Sequence, residues 1–273
     1  MNRASAAETD WTDLDRELAA WAAAGRTATF WWRDDDAVGP SAALDRLLGL
    51  AAAEAVPLAL AVIPAETGPA LADTLREHPG RAVLQHGYTH WNHAPAGEKK
   101  AELGAHRTAA EVTATLSQGQ DRLRVLFGAQ FLPVLVPPWN RIDPALIPAL
   151  PGLGFTGLST YGGKAGATPG GLAVIDTHID IIDWRNGRGF VGEAAALALA
   201  VRHLAARRRG ETAPDAPIRD EPTGLLTHHL VHDQASWAFI AAFIARVAAH
   251  PAARWLDVFE LFDPDRTAWA HTA

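Results

Sequence analysis

Apolar runs of four to seven residues alternate with helix-patterned segments along this chain, about seven times. The runs are Ala28 to Trp32, Pro57 to Ile63, Ala82 to Gln85, Phe131 to Val136, Phe155 to Ser159 and Gly224 to His228, with extended pieces at Ala173 to Ile175 and His178 to Ile182. Runs this short and this continuously apolar read as strands buried on both faces. Between them lie helix signals. Thr12 with Asp15 resembles a capping box, and Gly25 closes that segment. Further helices are predicted over Ser41 to Glu54, Gly68 to Glu77, one or two within Glu98 to Phe127, Asp143 to Leu150, Val191 to Arg209 and Ala235 to Ala249. Arg207, Arg208 and Arg209 stand at the negative dipole end of one of them. Trp255 to Leu261 ends the pattern. Strands alternating with helices predict an α/β chain with a parallel sheet and crossover helices. A closed barrel and an open doubly wound sheet both satisfy the pattern. No glycine fingerprint for a dinucleotide or a P-loop follows the first run. No composition break divides the chain. One domain is predicted, with a core over about 26–262, an N-terminal helix at 12–24, loops at 162–171 and 211–222, and a short C-terminal tail.

A length of 273 residues suits one large α/β unit. The formal charge of -7 argues against nucleic acid as a partner, because that binding is driven by basic surface. The chain has no Cys, so any metal must sit on imidazole, carboxylate and water. Ten Trp are more consistent with core filling than with a sugar-binding surface, although both use such side chains. The N-terminus leads into an acidic amphipathic segment rather than an apolar signal region, and no apolar run reaches the ~18 residues of a membrane span. A cytoplasmic protein without membrane contact is the expectation.

Two strand ends carry residues that are costly to bury unpaired. Ala28 to Trp32 runs into Arg33-Asp34-Asp35-Asp36, and Ala82 to Gln85 runs into His86-Gly87-Tyr88-Thr89-His90. Placed i and i+4 on a helical turn, His86 and His90 would point the same way. Adjacent carboxylates raise one another's proton affinity unless a cation intervenes. Two His and one carboxylate around a cation leave open positions for water and substrate. Three more patterns fall at strand ends: Pro137-Pro138-Trp139-Asn140-Arg141, Asp180 to Trp184, and Leu226-Thr227-His228-His229. Sites in α/β proteins gather at such C-terminal strand ends.

This ordered set resembles the polysaccharide deacetylase family, carbohydrate esterase family 4. The family's motifs, in order, are an Asp-Asp pair, His-Ser/Thr-x-x-His, an Arg-x-Pro segment with an aromatic, Asp-x-x-Asp-Trp and Leu-x-His. Here the second has Gly87 in the Ser/Thr place, the fourth matches in full, and the fifth is Leu226-Thr227-His228. The resemblance spans about Phe30 to His229. It implies a distorted (β/α) barrel of about seven parallel strands.

Carried over by position, the resemblance implies Asp36, His86 and His90 as metal ligands, Asp35 as general base and His228 as general acid. Asp183 and Trp184 would then lie beside His228, orienting it and walling the pocket. Zn2+ is the expected metal, with Co2+, Ni2+ or Mn2+ as alternatives. Two departures leave choices open. Three consecutive Asp allow Asp34 and Asp35 to be base and ligand instead, and His229 competes with His228. Val136 stands where the family often has Arg, which suggests Arg141 as the residue that holds the base. The implied activity is hydrolysis of an acyl group, most simply N-acetyl, from an oligosaccharide or small molecule. Asp35 would take a proton from water, His228 would protonate the leaving group, and a backbone N–H of the Pro138-Trp139-Asn140 loop would face the oxyanion. The alternatives are an amidohydrolase or phosphohydrolase acting on a non-sugar substrate, and a glycan-binding module without turnover.

Overall fold

The computed structural model describes residues 9–162, 171–210 and 221–262. Nine parallel strands form one sheet: β1 (Ala28–Ala37), β2 (Ala59–Val62), β3 (Ala82–His86), β4 (Phe131–Val136), β5 (Gly157–Leu158), β6 (Ala173–Val174), β7 (Ile179–Asp180), β8 (Thr223–Thr227) and β9 (Ala253–Trp255). Eight of them follow the order β6-β5-β4-β3-β2-β1-β8-β7, and β9 pairs beside the start of β1. The curled sheet is the expected distorted barrel, with eight strands on its path rather than about seven. The difference comes from residues 173–180. Their first part pairs with β5, Thr177 bridges Tyr161, and their last part pairs with β8. One extended segment thus passes its hydrogen bonds from one neighbour to the other and returns the sheet to β1.

Side chains on β1 alternate as the pleat demands. Phe30 and Trp32 pack outward into a large cluster with the helical layer. Trp31 points inward and meets Ala59, Ala61, Leu84, Val134 and Val136. Continuing that alternation, Arg33 and Asp35 belong to the barrel interior and Asp34 to the outer layer. Of the ten Trp, the described chain buries Trp21, Trp31, Trp32, Trp237 and Trp255, so core filling dominates, while Trp91 and Trp184 are exposed.

The helices are α1 (Trp11–Ala23), α2 (Ala42–Ala53), α3 (Pro69–Arg76), α4 (Ala109–Phe127), α5 (Glu193–Arg209), α6 (Gln234–Ala249) and α7 (Val258–Phe262). Most match the sequence expectation within two residues. Two differ for physical reasons. α1 is capped by Asp10, whose carboxylate accepts from Thr12 and Asp13 while Asp13 reaches back, so the capping box begins two residues earlier than Thr12. The stretch from Glu98 is not helical until Thr108 and Glu111 form a capping box for α4. The segment over 143–150 is a 3-10 turn. The predicted loops at 162–171 and 211–222 and the C-terminal tail fall largely outside the described residues. Among the described residues no helix is long and apolar enough to cross a membrane.

Candidate metal centre and its acid–base pair

β1, β3 and the loop after β3 bring Asp36, His86 and His90 together. One ligand atom from each lies within 4.8 Å of the other two. Asp36 Oδ1 is 3.1 Å from His86 Nε2 and 3.3 Å from His90 Nε2. His86 is placed by the sheet register, which sets it opposite Val136. Its Nδ1 lies 2.9 Å from the Val136 carbonyl. A carbonyl only accepts, so Nδ1 carries a proton; Nε2 faces the Asp36 carboxylate, to which it donates when protonated, and is the nitrogen that could bind a cation once that proton is lost. Asp36 leaves the strand alternation through a left-handed backbone (φ 70) at a register shift between β1 and β2. Burial pushes its pKa up, but the His86 hydrogen bond and the surrounding imidazoles outweigh burial, and the carboxyl sits well below its usual range. An ionised carboxylate with two imidazole nitrogens suits a divalent cation of the zinc type.

His90 does not lie on a helical turn with His86, as the i, i+4 spacing had suggested. The loop between them is irregular, with positive φ at Gly87 (55) and His90 (59). It wraps around Glu102, whose carboxylate accepts from the backbone N–H groups of Tyr88, Thr89 and His90. Glu102 had no signal in the sequence, because it lies in a stretch that read as helix. Burial, with the His86 charge next, lowers the His90 pKa. Its ring lies 4.4 Å from that of Trp139. Trp139 and Asn140 both have left-handed backbones (φ 55 and 54), so the Pro138 turn is sharply folded against the site. Lys100 Nζ stands 5.9 Å above the Trp139 ring.

The three Asp separate into three environments. Asp34 is fully buried and accepts from the Thr227 hydroxyl, the His229 backbone and the His229 ring, so it is spent on structure behind the site. Asp35 faces the interior and is gripped by Arg33, with Nε to Oδ1 at 2.8 Å and Nη2 to Oδ2 at 3.0 Å. Arg33 also donates to Ser159 Oγ and Asn140 Oδ1. The residue that holds Asp35 is therefore Arg33. Arg141 instead donates to the Lys100 carbonyl at the protein surface. Arg33 was legible in principle, since residues i and i+2 of a strand share a face.

His228 and His229 also separate. His229 is turned away against Asp34. His228 Nε2 stands 4.0 Å from Asp35 Oδ2, and the Trp184 ring meets His228 edge-on at 4.6 Å. Trp184 lies beside His228 as expected, but Asp183 does not. Its carboxylate caps its own turn at Arg185 and Asn186. Asp180 takes that place: it accepts from Trp184 Nε1 at 2.8 Å and from the Ile182 N–H. Burial raises the Asp180 pKa, against the opposing pull of His228.

A second group, His178, His203 and Glu221, also gathers its ligand atoms within 4.8 Å. It fits a metal poorly. The Gly224 N–H donates to His178 Nδ1 at 3.0 Å, so the neutral ring carries its proton on Nε2 and has no lone pair there. The two rings also stack, with centroids 3.5 Å apart and planes 22° apart, so their edges run side by side instead of converging.

No known sequence family and no curated protein matches the chain. Solved structures do. A protein of Mycobacterium smegmatis assigned as a polysaccharide deacetylase superposes with a TM-score of 0.65 at 18% identity, covering 97% of this chain and 95% of that one. The chitin deacetylase of the fungal pathogen Colletotrichum lindemuthianum gives 0.52 at 19% identity, over 87% and 88% of the two chains. A family 4 acetyl xylan esterase from Clostridium thermocellum, solved with a cobalt ion, gives 0.50 at 12% identity, over 87% and 92%. At these identities the likeness is one of architecture, and the chain has the fold of the polysaccharide deacetylases and family 4 carbohydrate esterases.

Proposed function

We propose that the chain is a metal-dependent hydrolase that removes an acyl group, most simply N-acetyl, from a carbohydrate. The observation that carries this reading is one constellation: Asp36, His86 and His90 around a common point, with Asp35 and His228 facing each other 4.0 Å apart beside it. A divalent cation held by Asp36, His86 and His90 supplies Lewis-acid polarisation of the acyl carbonyl and makes a water easier to deprotonate. Asp35 takes the proton from the attacking water. The Arg33 fork fixes both Asp35 oxygens, so the base acts from one orientation. His228 gives a proton to the departing amine or alcohol, and Trp184, tethered by Asp180, limits the swing of its ring. In the Pro138 turn the Asn140 N–H is spent on the Pro137 carbonyl, which leaves the Trp139 N–H as that turn's donor towards the developing oxyanion.

The substrate class is supported by exposed Trp91, next to His90, and exposed Trp184, against His228. Aromatic faces at a polar mouth suit the apolar face of a sugar ring. The test is hydrolysis of N-acetylated and O-acetylated oligosaccharides, beside phosphate esters, by protein loaded with zinc or cobalt. Acetate release that disappears in Asp36→Ala and in His86→Ala, together with metal binding, is the expected result. Full activity in either variant, or turnover of phosphate esters alone, would sink the proposal.

A further inference from the structure

The loop that carries His90 is shaped by a residue with no part in the proton transfers. Glu102 is 1% exposed, and its carboxylate collects the backbone donors of three successive loop residues and the Thr89 hydroxyl. Oε1 accepts from Thr89 N at 2.8 Å and Thr89 Oγ1 at 3.2 Å. Oε2 accepts from His90 N at 3.1 Å, and Tyr88 N is shared at 3.1 and 3.2 Å. Three successive backbone N–H groups converging on one anion make a nest of charge-assisted bonds. His90 needs such support, because a left-handed backbone is unfavourable for a residue with a side chain.

Gly87 is the other half of the device. A Cβ at that position would stand 2.1 Å from Glu102 Oε2 and 2.6 Å from Pro138 Cγ. A side chain there would need the Glu102 carboxylate and the Pro138 ring to shift, and the left-handed backbone at 87 already favours glycine. The stretch around Glu102 is in turn tied to the facing wall of the site. Leu103 bridges Ile142, the Asp143 N–H donates to the Leu103 carbonyl at 2.8 Å, and Arg141 donates to the Lys100 carbonyl at 2.7 Å.

We infer that Glu102 is a positioning residue for metal binding, which fixes the backbone of His90 in its ligating place, in space that Gly87 leaves open. The inference rests on Asp36, His86 and His90 being the metal triad. The experiment compares the full native chain with Glu102→Gln, both stripped of metal. Zinc affinity is measured by calorimetry, and ligand geometry by the visible absorption of bound Co2+. Glutamine keeps an oxygen for Thr89 but sets an NH2 group against the His90 N–H. The expected result is a metal-free melting temperature close to native, zinc binding weakened about 10- to 100-fold, and a changed cobalt spectrum. Unchanged affinity and spectrum in a folded variant overturn the inference and leave the triad standing. A native chain that binds neither metal overturns the triad, and the inference with it. If Glu102→Gln does not fold, amide exchange in the native metal-free protein decides. Protected Thr89 and His90 amides support the clamp, and exchange at free-peptide rates refutes it.

Discussion

Arg33 grips Asp35 from two positions back on the same strand, with both side chains almost wholly removed from water. A buried pair of this kind contributes little net stability over an apolar pair, but breaking it strands a charge. Arg33→Met is expected to cost about 3–5 kcal/mol in urea unfolding and to abolish acetate release. The double change Arg33→Met with Asp35→Leu should recover much of that stability and none of the activity. A single variant as stable as the native chain would show that the fork does not hold Asp35.

Asp34 and Asp36 should respond in opposite ways. Asp34→Asn disturbs a fully buried network with Thr227 and His229 and is expected to lower stability by about 1–3 kcal/mol, with zinc still bound. Asp36→Asn is expected to leave the melting temperature of the metal-free protein nearly unchanged and to remove zinc binding. Melting curves and calorimetry on the two variants check the register of the Asp run, and the reverse pattern would mean that Asp34 is the ligand.

His228 and His229 divide in the same manner. His228→Ala should lower kcat by roughly 100- to 10,000-fold while zinc affinity holds, as loss of a general acid predicts. His229→Ala should instead show in the unfolding transition, since it leaves the buried Asp34 without its ring partner. Equal kcat in native protein and His228→Ala would remove His228 from the mechanism.

Acid should find His203. Burial, with His178 and the nearby arginines next, drives its pKa far below the usual imidazole range, so the folded chain keeps it neutral. The unfolded chain protonates it near pH 6.5, so the unfolded state binds the extra proton as pH falls. Stability from this group is therefore full above about pH 6.5 and drops by about 1.4 kcal/mol for each pH unit below it. His232 is held neutral by burial down to about 4 and adds the same sign over that window. Urea unfolding at several pH values between 5 and 7.5 checks this. The native chain should lose more stability on acidification than His203→Gln does, and parallel pH profiles would refute it.

Much of the site was legible because strand periodicity and motif order are local in sequence. The run ending in Asp34-Asp35-Asp36 and the pair His86 and His90 are each carried by one strand and the turn after it. The residues that escaped act across the fold. Glu102 reaches a loop twelve positions back by its side chain, from a stretch whose polar periodicity imitates a helix. Asp180 in place of Asp183 depended on which carboxylate of the motif the turn at Arg185 would consume. The role of Arg141 went to Arg33 because a strand interior can host a guanidinium when a carboxylate sits two residues on. The lengths of β6 and β7 were not readable, since one extended segment serves two neighbours.

That shared segment has a mechanical meaning. β7 meets β8 through two residue pairs, while β8 meets β1 through five. Two-pair ladders also join β4 to β5 and β5 to β6, so pairing is thinner there and at β7 than among β8, β1, β2 and β3. Asp35, Asp36 and His86 thus stand on strands with more ladder pairs, while Asp180 and the Trp184 it holds stand on a strand with fewer. Ladder bonds resist local opening, so amide exchange is expected to be slower in β1 and β3 than in β7.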